Sequence, residues 1–303
     1  MAGTLGATES GTHGIRRLAR DDIAAAVKAL KRRPLTDVAV HDARKHLKRA
    51  RAMLRLLRPA LGRKTYRREN AALRDAARPL SAIRDAKVLL ETFDGLVARG
   101  WHPRNPAAAL ALRQWLDARR EGLGRATVNA PRPLSGPLEA LRAAHRRAAH
   151  WRTGRHGWSV LGPGFARAYR RSREALKHAR AMRTPQSLHA WRRRTQSLWH
   201  MLRALQPLQP DSVAALSGQA HRLADCLGEH HDLTVLAGTL AVLASSTDRA
   251  AVEGLMPLID RRRGALERRA FALGARLYRE SPAAITRRFG RYYRRWRESP
   301  RAG

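Results

Sequence analysis

The sequence predicts an all-α protein made of two four-helix-bundle-like halves related by an internal pseudo-two-fold duplication. Three observations carry that expectation. Aromatic residues are only 5% of the chain and β-branched runs are scarce, while Ala, Leu, Arg and Glu dominate, a composition that favours helix almost throughout. Turn-forming residues recur at helix-length intervals. A long segment near residue 40 recurs near residue 188.

The turn signals mark the helix ends in order. They are Pro34, Pro59 with Gly62, His102 to Pro106, Gly122 to Pro137, Gly154 to Gly164, Pro185, Pro207 with Pro210, and Ser281 with Pro282. They leave about ten helix-length pieces. The stretch Gly122 to Gly164 carries most of the Pro/Gly density, interrupted by a short amphipathic piece at Leu138 to Trp151, and it divides the chain near its middle. The expected organisation is a disordered tail over 1–14, a first helical half over 15–128, and a Pro/Gly-rich connection with a short helix over 129–162. A second half over 163–297 and a disordered tail over 298–303 complete it.

The repeat supports those halves. The segment from Val40 to Pro59 aligns without a gap on Leu188 to Pro207, with His41/His189, Arg44/Arg192, Met53/Met201, Leu54/Leu202, Arg55/Arg203, Leu57/Leu205 and Pro59/Pro207 identical. Further on, Leu80 to Leu89 matches Leu227 to Leu236, keeping Leu80/Leu227, Asp85/Asp232, Val88/Val235 and Leu89/Leu236. Two motifs recurring in the same order argue for a duplicated helical unit, because His and Pro are uncommon in Ala-rich helices.

Lys and Arg total 61 against 24 Asp and Glu, a formal net charge of +37. With 44% hydrophobic residues the chain has enough apolar material for a core, so wholesale disorder is excluded. Self-repulsion of this size is relieved by an anionic partner: nucleic acid, a polyphosphate or an anionic surface. A single cysteine, Cys226, excludes a disulfide scaffold and points to a reducing compartment. The N-terminus lacks an apolar segment after a basic start, and the longest apolar stretch, Leu233 to Ser246, is too short to span a bilayer, so a cytoplasmic location is expected.

Position separates functional charge from background. At 100° per residue, Arg44, Lys45, Lys48, Arg51 and Arg55 fall within roughly 80° of His41, while Ala43, Leu47, Ala50, Met53, Leu54 and Leu57 lie opposite. In the second copy His189, Arg192, Arg193, Gln196, His200 and Arg203 share the polar stripe. Ordinary exposed helices intersperse acids at i,i+4 spacing, yet Lys45 to Arg58 contains none. Facing each other across a pseudo-two-fold, the two stripes would line a cleft or channel from both sides. Arg167, Arg170, Arg171, Arg173 and Lys177, and separately Arg74, Arg78 and Arg84, would extend the basic surface. The C-terminal segment Ala283 to Arg297 alternates aromatics with arginines; its apolar stripe packs on the last bundle or meets bases or an anionic membrane, and packing is the expected outcome.

No catalytic constellation stands out. His189 and His200 are about three turns apart, His41 and His46 point in different directions, and the neighbouring Glu229, His230, His231 and Asp232 do not converge on one ion. Asp85 and Asp232 are read as helix caps or as partners that orient arginines. There is no G-x-x-x-x-G-K-[ST] loop, no acidic cluster for Mg²⁺ and no nucleophile elbow. A non-enzymatic binding protein without cofactor or metal is expected.

The residues quoted so far also carry a family resemblance. From about Ile15 to Trp296 the chain resembles the CHAD family, named for a conserved-histidine α-helical domain. The carrying motifs are the H-x-x-R-[KR] helix starts at His41 and His189, Arg84-Asp85 with its partner His231-Asp232, and Tyr169 to Arg173. The resemblance implies two four-helix-bundle-like halves and binding of inorganic polyphosphate by the basic surface between them, with recruitment to polyphosphate granules. On the residues here, the implied contacts are His41, Arg44, Lys45, Lys48, Arg51, Arg55 and Arg84 from the first half, and Arg170, Arg173, His189, Arg192, Arg193 and Arg203 from the second. Gln196, Ser197 and Trp199 stand where basic residues are usual, so the second half is expected to contribute less. The alternative reading is a basic helical nucleic-acid binder; against it, the stripes carry almost no aromatics for base stacking.

Overall fold

The computed structural model describes residues 3–6, 8–32, 34–99, 106–129, 134–151, 156–243 and 249–299. Among them are eleven α-helices and no strand. In chain order these are α1 (Gly11–Leu30), α2 (Asp37–Leu56), α3 (Arg58–Ala77), α4 (Pro79–Ala98), α5 (Pro106–Asn129) and α6 (Ser135–Ala149). They continue as α7 (Trp158–Met182), α8 (Pro185–Ala204), α9 (Pro210–Leu243), α10 (Arg249–Leu277) and α11 (Pro282–Glu298).

Local chemistry starts these helices where the sequence places them. Thr36 and Thr184 cap α2 and α8, each hydroxyl accepting from the backbone N–H of the third helical residue, and Ser187 completes a capping box on α8. Prolines occupy the first turn of α3, α4, α8 and α11, where a missing N–H costs nothing. Gly62, at φ +71°, breaks α3 in a conformation that side chains disfavour.

The chain departs from the sequence reading at three places. Gly122 does not end a helix, because α5 runs through it to Asn129. The short piece in the central connection is a 15-residue helix, α6, packed on α1 and α3, and α7 begins at Trp158, ahead of Gly162 and Pro163. The expected N-terminal tail is anchored: Leu5 is buried, its N–H donates to the Ala204 carbonyl at 3.1 Å, and α1 starts at Gly11. Burial of one leucine and a backbone hydrogen bond to α8 hold that segment against the body. Of the turn signals, residues 102–105, 130–133 and 154–155 lie outside the described residues, as do residues 300–303 of the C-terminal tail.

One hydrophobic core runs through the molecule, from Ile15 and Leu47 on one side to Trp191, Leu236 and Phe289 on the other. Within it α2 packs directly on α8. There α7 crosses the end of α2 so closely that a Cβ on Gly164 would lie 2.0 Å from the Leu56 carbonyl oxygen. The aromatic stripe of α11 packs: Ile285, Phe289 and Tyr293 are buried, with Phe289 stacked on Phe165 of α7 at 4.5 Å. A buried ion pair ties α3 to α6, Arg147 donating to both oxygens of the fully buried Glu69 at 2.8 and 2.9 Å.

Candidate anion-binding cleft

Helices α2 and α8 present their basic stripes to a shared cleft of about 670 Å³, with α4 and α9 forming the outer walls. From α2 come His41, Arg44, Lys45, Lys48 and Arg51, from α4 Arg84 and Asp85, from α8 His189, Arg192 and Arg193, and from α9 His231 and Asp232. The structure therefore brings nine of the thirteen sequence-predicted site residues to one cleft. Arg55 lines a smaller chamber of about 250 Å³ that continues the cleft, the two spaces sharing Lys48, Arg51, Arg193, Gln196 and His200.

Three predicted residues lie elsewhere. Arg170 is exposed and lies 3.9 Å from Glu174, and Arg173 lines neither space; on α7 it is Arg167 and Arg171, one turn apart, that face the chamber. Arg203 shares a helix face with His189 but sits beyond the α2–α8 crossing. There it lines a space of only about 10 Å³ with Asp22, Arg49 and Gly3 and lies over the Trp199 ring. The chamber also contains residues that the sequence reading did not assign to the site: Arg58 and Tyr66 of α3 and Arg194 of α8. Arg58 sits at the α2–α3 junction, and Arg194 projects well off the histidine stripe, so helix periodicity alone would not have found either.

Polar neighbours fix several of these side chains. Arg44 donates to Ser81 Oγ at 2.6 Å, Arg51 to Asn70 Oδ1 at 3.3 Å and Arg55 to Ser197 Oγ at 3.2 Å. Acids cluster at the rim, where Asp75 pairs with Arg74 and Arg78, and Glu91 with Arg84. The chamber differs. Among the described residues, none of its eight cations forms a salt bridge, and no carboxylate lines it.

Burial and mutual repulsion weaken proton binding at several of these groups. Lys48 is pushed down to about 8, first by burial and then by Arg192, Arg44 and Arg84, with Asp232 opposing. Burial likewise brings Arg51 down to about 10 and lowers Arg44 and Arg55. The histidines respond in the same direction. His41 and His189 are lowered by burial and adjacent cations, and His231, 4.3 Å from His189 ring to ring, falls to about 4. His200, 5% exposed with neither ring nitrogen hydrogen-bonded, falls to about 3. Lowered proton binding favours the neutral imidazole at these positions, which offers one N–H each. Burial holds the Asp232 carboxyl above its ordinary range.

These shifts fix how stability varies with pH. A base whose folded pKa lies below its unfolded value binds fewer protons when folded, so stability rises with pH between the two values. For Lys48 that window runs from about 8 to about 10.5. The ligand-free protein at low salt is expected to unfold at a higher temperature at pH 9.5 than at pH 7.5, with the increment reduced in Lys48→Met. Equal pH slopes in the two proteins would show that Lys48 is not the group responsible.

The fold and the cleft define a class: an all-α domain with cations converging from two helices. Residues 14–241 match the model of the CHAD domain, and the chain belongs to that family. It is also similar to the crystal structure of the CHAD domain from the plant Ricinus communis, at 19% identity and a TM-score of 0.56. That similarity covers 96% of this chain and 95% of the other, and shows the shared fold. No curated protein gives a significant match. Among the described residues no group of three or more His, Cys, Asp or Glu side chains is placed to hold a metal, and no helix is long and apolar enough to cross a membrane.

Proposed function

We propose that the protein binds inorganic polyphosphate, without chemistry, in the cleft between α2 and α8. The observation that carries this reading is the convergence of Arg44, Lys48 and Arg51 with Arg192 and Arg193 on one narrow space. A chain of phosphates there would accept charge-assisted hydrogen bonds along its length and release its condensed counterions. The neutral histidines add donors without adding repulsion.

The pseudo-two-fold duplication belongs to the same proposal. Besides α2 against α8, helix α4 packs on α9 and α1 on α7, so that the repeated motifs of the two halves lie on helices in mutual contact. That is the pattern of a self-complementary two-fold interface. Binding in the cytoplasm and recruitment to polyphosphate granules extend the reading from the same chemistry.

Nucleic acid is the second reading, and the cleft's shape disfavours it. Its walls are helices in direct contact, a spacing too narrow for a duplex. The aromatics available are Trp199, already stacked on His221 at 4.2 Å, and Tyr66, covered by Arg58 at 4.6 Å. Titration at fixed salt with long-chain polyphosphate, duplex DNA and single-stranded DNA tests the assignment. Polyphosphate is expected to displace either DNA at a far lower phosphate concentration, and equal displacement would overturn specificity.

A further inference from the structure

We infer that the acid-free chamber is a socket for the end of a polyphosphate chain, so that the protein binds chain termini in preference to the middle of a chain. The inference rests on the polyphosphate reading above and adds a polarity to it.

The first observation is the distribution of compensating charge. Cations at the outer cleft have acids beside them, Asp75 and Glu91 at the rim and Asp85 and Asp232 in the walls. The adjoining chamber has eight cations, of which Lys48, Arg51 and Arg193 are shared with the cleft, and no carboxylate. Charge demand along a polyphosphate chain is uneven in the matching way. An internal unit carries one negative charge, whereas a terminal phosphoryl has a second ionisation near pH 6, as a phosphomonoester does, and approaches two at neutral pH. The deeper and less compensated end of the site therefore suits the chain end.

The second observation is that one wall of the chamber is sealed by backbone. Gly164, in its lining, sits against the Leu56 carbonyl with no room for even a methyl group, so backbone meets backbone where α7 crosses α2. At a volume of about 250 Å³ the chamber holds a short anionic segment, below the roughly 300–1,000 Å³ typical of drug-sized ligands. Unpartnered nitrogens already line it: the buried Nε of Arg167, a donor, and the ring of His200, whose neutral imidazole offers a single N–H.

The third observation is that the arrangement is one-sided. Arg203, the repeat counterpart of Arg55, lines a space of about 10 Å³ where Asp22 supplies a carboxylate and Gly3 closes in from the N-terminal segment. At the Arg203 position a chain lying in the cleft thus meets a space of about 10 Å³ with an acid beside it, not a counterpart of the chamber.

Stoichiometry tests the polarity on the unaltered protein. Saturation binding to medium and long linear polyphosphate is measured by sedimentation, alongside the same chains with both terminal phosphates converted to phosphoramidates. End binding predicts two protein molecules per chain at either length and affinity reduced at least tenfold by capping. Arg58→Gln with Arg171→Gln, which alters the chamber alone, is expected to bind capped and uncapped chains equally while retaining its helical circular dichroism. Stoichiometry that grows with chain length, or capping without effect on a chain that still binds, would overturn the socket and leave polyphosphate binding standing. Failure of uncapped chains to bind at all would overturn both.

Discussion

Arg44→Glu combined with Arg192→Glu is expected to lower affinity for long-chain polyphosphate at least about a hundredfold at low salt. Each guanidinium lost removes a hydrogen bond to a charged group, about 1.5–3 kcal/mol apiece, and each new carboxylate repels the phosphates. The two arginines head the basic stripes of α2 and α8 and face the same cleft. Arg192 is also central to the repulsion already present, depressing proton binding at Lys48, Arg44, His189 and His231. The ligand-free variant should therefore unfold at the same temperature as the parent or higher, since new acids relieve that repulsion. Loss of affinity with retained or improved stability identifies a binding surface maintained at a cost to folding. Isothermal titration and thermal unfolding check both signs, and unchanged affinity would place the phosphates on another face.

Arg147→Ala is expected to be the most destabilising of the substitutions considered, by about 3–5 kcal/mol, because it strands a carboxylate inside the protein. Glu69 is fully buried on α3, and Arg147 of α6 grips both its oxygens. The remaining partner, Arg68, is 57% exposed and bonds one oxygen at 2.8 Å, too little to compensate a buried charge. Replacing both members, Glu69→Leu with Arg147→Met, should cost much less than the single change, since no ion is then left unpaired. Urea unfolding separates the cases: the single variant should show a lower midpoint at unchanged slope. A double variant as unstable as the single would mean that packing, not charge, holds α3 to α6. Because α3 also carries Arg58, Tyr66 and Asn70 to the site, this pair indirectly positions one wall of it.

What the sequence made legible follows from periodicity. Helices α2 and α8 were readable because their caps, prolines and stripes are all local, and the stripes named most of the cleft. A helical projection assigns a residue to a face but cannot say which neighbour covers that face or how far along it the cover begins. His200 and Arg203 share the face of His189, yet α2 crosses α8 at that level, burying the first and leaving the second beyond the cleft. On α7 the family resemblance implied Arg170 and Arg173, whereas Arg167 and Arg171 face the chamber. Which pair meets the chamber depends on where Phe165 and Tyr169 pack, which is a tertiary fact. Arg194 was passed over because it projects away from its own histidine, into a chamber that exists only once α7 is docked. The anchored N-terminal segment shows the limit from the other side, since a single buried Leu5 carries no periodic signal.

Gly164 brings α7 onto the Leu56 carbonyl with no side chain between them, so α2 and α7 are joined through backbone rather than through rotatable groups. Joints of that kind neither slide nor breathe easily, so this wall of the chamber is fixed before any ligand arrives. On the proposed polyphosphate reading, the freedom lost on association would be chiefly that of the polyphosphate chain, with the protein entering the complex already arranged. Capture should be a single kinetic step, its observed rate climbing linearly with polyphosphate concentration and falling steeply with salt. Trp199, in the cleft wall, supplies the fluorescence signal for stopped-flow mixing. A rate that levels off at high concentration would mean that the helices must first move apart.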